Sequence, residues 1–469
     1  MMTIDSMMKS RRAFLKRAGL GLAAVLAPGP AVRSIFAAAR AKPNIVLIMA
    51  DDFGYECLRC NGGQSYDTPR LDEMAAKGLR FTNCHSQPVC TPSRVKIMTG
   101  KYNSRNYVAF ETLDAKETTF AHLLKAAGYK TCIAGKWQLS GRGKEYPGTS
   151  AVAAGFDEYC LWQMDEQTNG SRYWAPTIKQ NGRLLAGLAD AYGPDVFCRF
   201  VCHFIEANRK RPFFVYYPMA LTHGPHVPTP DSRTGGKGTK RDTKYFPDMV
   251  TYADKIVGRV LDKLHETGLA GNTLALFTGD NGTDKKVTSL WGGRQIRGGK
   301  GRTIDAGTHV PLIAYWKGVT PEAAVCEDLI DFSDFLPTFI DLSDAPVPAG
   351  SRHDGVSFLP QVRGGRGTPK DCIFCHYEKG KYPYEGQKAK TGRNSEPSPP
   401  KKNKLAYTRF VRDTRWKLYQ DGRLFDVVAD PDETAPIPAG TGGQADVIRG
   451  RFQTVLDRME EQDKTAGER

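Results

Sequence analysis

Four short apolar runs, each lacking alternation and each ending in charged or polar residues, constrain this chain more than any other feature. Residues 43–50 run into Asp51-Asp52, and residues 130–134 into Gly135-Lys136-Trp137-Gln138. Residues 212–217 precede Thr222-His223-Gly224-Pro225-His226-Val227-Pro228, and residues 273–278 run into Gly279-Asp280-Asn281-Gly282. An unbroken apolar run fits a strand buried on both faces, the kind a parallel sheet contains. Helical patterns lie between these runs. Thr68-Pro69 starts a helix that turns Leu71, Met74 and Ala75 inward and ends at Gly78, and a second is predicted over 119–127 before Gly128. Met249, Tyr252, Ala253, Ile256, Val257, Val260, Leu261 and Leu264 recur at helical spacing up to Gly268. Strands alternating with helices predict an α/β fold with a doubly wound, mostly parallel sheet, whose ligands gather at the carboxyl ends of the strands. Four polar strand ends at one edge are therefore read as a site.

At 469 residues the chain is long enough for one large domain and a smaller one. A further apolar run covers 310–316, a helix is predicted over 334–342, and composition shifts near Gly364. Residues 405–426 read as short antiparallel strands, and Ile448, Phe452, Val455, Leu456 and Met459 mark a closing amphipathic helix. The expected organisation is an address segment over 1–39, a catalytic α/β domain over 40–364 and a C-terminal subdomain with a small antiparallel sheet over 365–469.

Between the first two runs lies the segment 84–100, with Cys90-Thr91-Pro92-Ser93-Arg94 at its centre and Thr99-Gly100 at its end. If a helix starts near Pro92, Arg94 shares a face with Cys90 and the helix N-terminus favours an anion there. This segment resembles the signature of the type I sulfatases, enzymes of the alkaline-phosphatase-like superfamily, in which that cysteine is oxidised to a formylglycine aldehyde. A hydrated aldehyde carries two hydroxyls: one attacks sulfur and displaces the alcohol, and the other loses its proton and expels sulfate. The bland alternative is a buried free cysteine packing as a small hydrophobe.

The resemblance covers most of residues 43 to 435 and implies roles. Asp51, Asp52, Asp280 and Asn281, together with the modified Cys90, would hold one divalent cation, most often calcium, with magnesium the alternative; oxygen-only donors suit such hard ions. Arg94 would stand against the nucleophile, Lys136 and Lys300 on the sulfate oxygens, and His226 on the bridging oxygen, with His223 the other candidate for that role. One position departs: where most of the family has His, this chain has Gln138, which forms hydrogen bonds but takes no proton at neutral pH. Another base, Asp280 or His223, would then serve, or sulfate release would be slow.

Ser10-Arg11-Arg12-Ala13-Phe14-Leu15-Lys16, a modest apolar run and Ala37-Ala38-Ala39 form a twin-arginine export pattern, so a periplasmic or secreted protein is expected. The apolar run is too short for a membrane span. Removing 1–39 lowers the formal charge from +15 to +10, which favours anionic partners; no nucleic-acid-binding motif is present, so the charge points to an acidic substrate. Two loops rich in Lys, Gly and Pro, 229–244 and 378–404, are read as solvated, with a grip on a polyanion at the mouth of the site as the alternative. Cys57-x-x-Cys60 and Cys372-x-x-Cys375 make a weak zinc pattern, and disulfides are plausible among the eleven cysteines. The partners implied are a formylglycine-generating or anaerobic maturation enzyme, the twin-arginine translocase and a sulfated carbohydrate. The expected function is sulfate monoester hydrolysis. A phosphonate or phosphate monoester hydrolase with the same nucleophile, and an inactive exported polyanion-binding homologue, stay open as alternatives.

Overall fold

The computed structural model describes residues 42–141, 146–232, 241–378 and 407–467. The export pattern and parts of both basic loops lie outside them. The strands are β1 (Asn44–Ala50), β2 (Leu79–His85), β3 (Lys130–Lys136), β4 (Glu158–Trp162), β5 (Lys179–Gln180), β6 (Arg183–Leu184), β7 (Phe213–Pro218), β8 (Thr273–Gly279), β9 (Thr288–Trp291), β10 (Arg294–Arg297), β11 (His309–Tyr315), β12 (Ala324–Asp331), β13 (Ile373–Glu378), β14 (Tyr407–Arg412), β15 (Trp416–Tyr419) and β16 (Leu424–Asp426). The helices are α1 (Pro69–Ala76), α2 (Cys90–Thr99), α3 (Asn103–Asn106), α4 (Phe120–Ala126), α5 (Gly193–Ala207), α6 (Phe246–Glu266), α7 (Asp305–Thr308), α8 (Phe335–Ser343), α9 (Leu359–Val362) and α10 (Gln444–Gly467).

Ten strands form one sheet in the order β12-β2-β11-β8-β1-β7-β3-β4-β5-β6. The centre, β8-β1-β7-β3-β4, is parallel throughout. Both faces of it are covered: Val46, Ile48 and Ala50 of β1 pack into one apolar cluster with α1, α5 and α6, while Ile45, Leu47 and Met49 pack into another with α2, α4 and α8. That two-sided burial is why β1 shows no alternation in sequence. The run over 310–316 is strand β11, antiparallel to both β2 and β8. After β8 the chain stays at the same edge through the β9–β10 hairpin and α7, so with no crossover helix to carry it back, β11 has to return in the opposite direction.

The helix around Cys90 differs from expectation in one detail. It begins at Cys90 rather than near Pro92, with Val89 as N-cap, so Pro92 is its third residue. The first turn tolerates this, because its N–H groups have no intrahelical acceptor to lose. Gly100, in the left-handed region at φ 66°, ends the helix. All ten of its residues are buried. Strand β2, which feeds this helix, and α5 are elements not singled out in the sequence, although Val196, Phe197, Phe200, Val201, Phe204 and Ile205 carry a plain helical period.

A separate antiparallel sheet has the order β13-β14-β15-β16. One side packs on α10 through Ile448, Phe452 and Leu456. On the other, Phe410, Tyr419 and Phe425 cluster with Val89, the residue before Cys90. Cys375 also donates to Gln87 Oε1 at 3.1 Å. The small sheet therefore backs the segment that presents Cys90.

A buried ion cluster anchors α2 from its far side. Lys96 Nζ lies 2.7 Å from Asp331, and Lys370 Nζ lies 3.0 Å from Asp331 and 2.7 Å from Asp334. Burial opposes ionisation of Asp331, yet Lys370 and Lys96 hold its pKa below the usual carboxylate range, while burial pushes Asp334 up to about 6. Because the folded value of Asp331 is depressed, its contribution is present above the unfolded carboxylate pKa and is lost as pH falls toward the folded one. Asp331→Asn takes from Lys96 the carboxylate it pairs with and leaves Lys370 only Asp334, and is expected to lower stability by about 3 to 5 kcal/mol, read from the urea midpoint at pH 7. An unchanged midpoint would show that the cluster does not hold α2.

Candidate active site

Parallel strands end at a common edge, and each turn beyond them is pinned by the extending ladder. Asp51 N donates to Leu221 O at 2.7 Å, Thr222 N to Asp51 O at 2.7 Å, and Asp280 N to Ala50 O at 2.8 Å. The result brings together Asp51 and Asp52 after β1, Lys136 and Gln138 at the end of β3, His223 and His226 after β7, and Asp280 and Asn281 after β8. Cys90 and Arg94 join them from α2, and Lys300 from the segment before β11. Gly135 allows the approach of β3: its φ is 112°, and a Cβ there would sit 2.0 Å from Pro218 O. Only glycine fits such a position without displacement.

Six charges interlock in this edge. Lys136 Nζ pairs with Asp51 Oδ2 at 2.8 Å, and Lys300 Nζ with Asp52 Oδ1 at 2.6 Å. Arg94 Nη2 lies 3.1 Å from Asp280 Oδ2 and 3.7 Å from Asp51 Oδ2, while Nη1 donates to Lys136 O at 3.1 Å. Asn281 Nδ2 donates to Asp52 Oδ1 at 2.9 Å, and Asp52 N donates to Asp280 Oδ1 at 3.0 Å. Asp51, Asp52, Asp280 and Asn281 have no exposed surface. Burial works against ionisation of Asp51, but Lys136, His223 and Arg94 hold its pKa well below the ordinary value, and Lys300 does the same for Asp52 less strongly. Asp280 goes the other way, pushed up to about 7 by burial and by the charge of Asp51.

Two oxygens in this group have no hydrogen-bond partner, Asp51 Oδ1 and Asn281 Oδ1. Buried polar atoms are rarely left so, and two on neighbouring strand ends fit ligation of a cation. Among the described residues, the one group of three or more His, Cys, Asp and Glu side chains with ligand atoms within 4.8 Å of one another is Asp51, Asp52 and His223. His223 Nε2 is 3.9 Å from Asp52 Oδ2, and burial lowers its pKa to about 4, so its ring is neutral at pH 7. His226 has a lowered pKa through burial, packs edge-on to Phe246, and leaves Nε2 without a partner.

Cys90 is 2% exposed, and burial pushes its thiol pKa up. Its Sγ donates to Gln138 Oε1 at 3.3 Å. Behind Gln138 stands Glu111, a residue sequence reasoning missed; it lies in a segment without periodicity, and only the substituted position 138 pointed toward it. The zinc pattern does not assemble: Cys57 Sγ contacts Thr283 Oγ1 at 3.4 Å and Cys375 faces Gln87. All eleven cysteines are free thiols, so the disulfides considered plausible do not form; Cys57, Cys84, Cys132, Cys160 and Cys198 are buried within the two large apolar clusters.

The family model for Sulfatase matches residues 43–345. The chain belongs to the sulfatase family. This sulfatase is 31% identical to human arylsulfatase G over 396 residues, covering 72% of each chain. It is 32% identical to human arylsulfatase A over 365 residues, covering 71% of this chain and 70% of the relative. It is 30% identical to N-acetylgalactosamine-6-sulfatase of Canis lupus familiaris, with 77% and 71% covered. Among solved structures, Ps i-CgsB in complex with k-i-k-neocarrahexaose aligns at TM-score 0.70 and 23% identity over 90% of this chain and 93% of that one. The phosphonate monoester hydrolase of Agrobacterium radiobacter aligns at TM-score 0.63 and 19% identity, covering 90% and 96%, a likeness of fold. The sulfatase is thus a sulfuric ester hydrolase with the alkaline-phosphatase-like α/β fold, as the resemblance implied. No helix among the described residues is long and apolar enough to cross a membrane.

Gly135→Ala is expected to push β3 away from Pro218 and to lower stability by about 2 to 3 kcal/mol, measured by urea denaturation. A variant as stable as the parent would mean that the close approach is not required.

Proposed function

We propose that this sulfatase hydrolyses sulfate monoesters of a carbohydrate with a nucleophile made from Cys90, beside a divalent cation held by Asp51, Asp52, Asp280, Asn281 and the modified residue 90. The observation that carries the reading is the pair of orphaned oxygens, Asp51 Oδ1 and Asn281 Oδ1, within an all-oxygen donor set. The formal charges of Asp51, Asp52 and Asp280 balance those of Arg94, Lys136 and Lys300. A divalent ion leaves such a site with two positive charges, which favours an anionic ester group. Calcium is the ion the donor set suits best, with magnesium as the alternative. When bound, the cation supplies charge to one sulfate oxygen and lowers the pKa of a hydroxyl at residue 90.

In the matured protein, residue 90 supplies an aldehyde hydrate: one hydroxyl attacks sulfur and the alcohol leaves, and the second passes its proton to a base, Asp280 or His223, so that the carbonyl re-forms and sulfate is expelled. Arg94 fixes Asp280 and Asp51, the two carboxylates nearest the nucleophile helix. Lys136 and Lys300 offer ammonium groups to the sulfate oxygens. His226 offers its unpartnered Nε2 to the bridging oxygen. Because burial keeps His226 mostly neutral at pH 7, charge arriving on the leaving oxygen is met chiefly by the fixed cations, which need no reorganisation. A carbohydrate substrate is supported by the basic balance of the chain and by relatives named for a sugar sulfate. Export by the twin-arginine route, after maturation by a formylglycine-generating or anaerobic enzyme, fits a site modified before the protein leaves the cytoplasm.

Mass spectrometry of the peptide over 84–100 is expected to show a loss of about 18 Da at Cys90, thiol replaced by aldehyde. Cys90→Ala should abolish release of sulfate from an aryl sulfate. Turnover by protein with an intact thiol, or faster hydrolysis of an aryl phosphate than of the sulfate, contradicts the proposal. Calcium at a hundred times its Kd should stabilise the unmodified protein by about 2.7 kcal/mol. Asn281→Ala should remove most of that gain, and an equal gain in the variant would place the ion elsewhere.

A further inference from the structure

The site answers the loss of the usual histidine at position 138 with a specific arrangement. Glu111, Gln138 and Gln163 all lie in the left-handed region, at φ 63°, 52° and 58°. Residues other than glycine avoid that region, and where several are held there together the surroundings are maintaining them, as at functional sites. These three meet in one hydrogen-bonded cluster. Gln138 Nε2 and Gln163 Nε2 each donate to Glu111 Oε1 at 2.9 Å, and Gln138 N donates to Gln163 O at 3.0 Å. Glu111 is tied to the nucleophile helix, its N–H donating to Thr91 Oγ1 at 3.1 Å, and its carbonyl accepts Gly141 N at 2.8 Å.

A carboxamide has two ends of similar size and opposite polarity, and by itself it can turn either end toward a neighbour. A carboxylate accepts only, so it selects one orientation. We propose that Glu111 is a positioning residue: it holds the Gln138 carboxamide with nitrogen toward itself and oxygen toward residue 90, so that Gln138 is an acceptor for a hydroxyl of the nucleophile. The inference rests on residue 90 being that nucleophile. The Cys90 thiol, which donates to Gln138 Oε1 at 3.3 Å, stands where that hydroxyl donor would be. Negative charge behind the amide nitrogen polarises the group and strengthens its oxygen as an acceptor. No proton passes to Gln138. Its oxygen sets the rotation of the hydroxyl, and the proton stays where it was.

The test is a double-mutant cycle on protein whose aldehyde content has been measured. Glu111→Gln keeps size and removes both charge and acceptor-only character. It is expected to lower kcat about tenfold or more, with KM within about twofold. In a Gln138→Ala background the same change should alter kcat by less than about twofold, because the residue acts through Gln138. If Glu111→Gln does not fold, Glu111→Asp, which withdraws the carboxylate by one methylene, takes its place in the cycle with the same expectation. A crystal structure of the unmodified Glu111→Leu protein should show the Gln138 oxygen out of hydrogen-bond reach of Cys90 Sγ. Wild-type kcat in the Glu111 variant, the same loss in both backgrounds, or an unmoved Gln138 overturns the inference. A wild-type protein that carries the aldehyde and releases no sulfate sinks the nucleophile reading instead, so the two failures are distinguishable.

Discussion

Three carboxylates and three cations, all but Lys300 fully out of water, interlock at the carboxyl edge of one sheet. A single charge there, stripped of its partner, would be strongly destabilising, whereas the paired set is tolerated. The pairing depends on geometry that no one element supplies. Asp51 needs Lys136 from β3 and Arg94 from α2, and Asp52 needs Lys300 from the segment before β11. The strand order and the small antiparallel sheet behind Val89 hold those elements in register. Fold and site are thus one problem: the packing that buries the apolar runs also brings the charges to within hydrogen-bond distance.

The same burial organises reactivity. Low-dielectric surroundings push the carboxylates apart in pKa, with Asp51 held down by cations and Asp280 lifted to about 7. Groups of one type then have different protonation tendencies within one cluster, a pattern typical of sites that do chemistry. The neutral His223 beside Asp52 belongs to this picture too, since a neutral ring is a donor or ligand rather than a further positive charge.

The cluster behind Gln138 shows how the site carries a substitution. A glutamine at that position cannot store a proton, but the carboxylate of Glu111, itself bonded by the Gln163 amide, gives its carboxamide one orientation. Three residues in the left-handed region are the local conformational cost of that arrangement.

Much of this was legible in the residues. The unbroken run before Asp51 identified a strand buried on both faces, and the polar ends of four such runs identified an edge, because a parallel sheet aligns its carboxyl termini. The segment around Cys90 and the lysines at 136 and 300 followed from resemblance. Other features depended on distant neighbours. The antiparallel course of β11 follows from the chain staying at one edge after β8, and the helix start at Cys90 from Val89 packing against the small sheet. Glu111 lies in a segment of no period, and its contact with Gln138 exists only because two left-handed turns face each other in space. Sequence by itself determined which residues carry charge and which runs must be buried, since those are properties of side chains and local order. Tertiary structure alone decided which charge faces which, because ion pairs between residues hundreds of positions apart are set by strand order and packing.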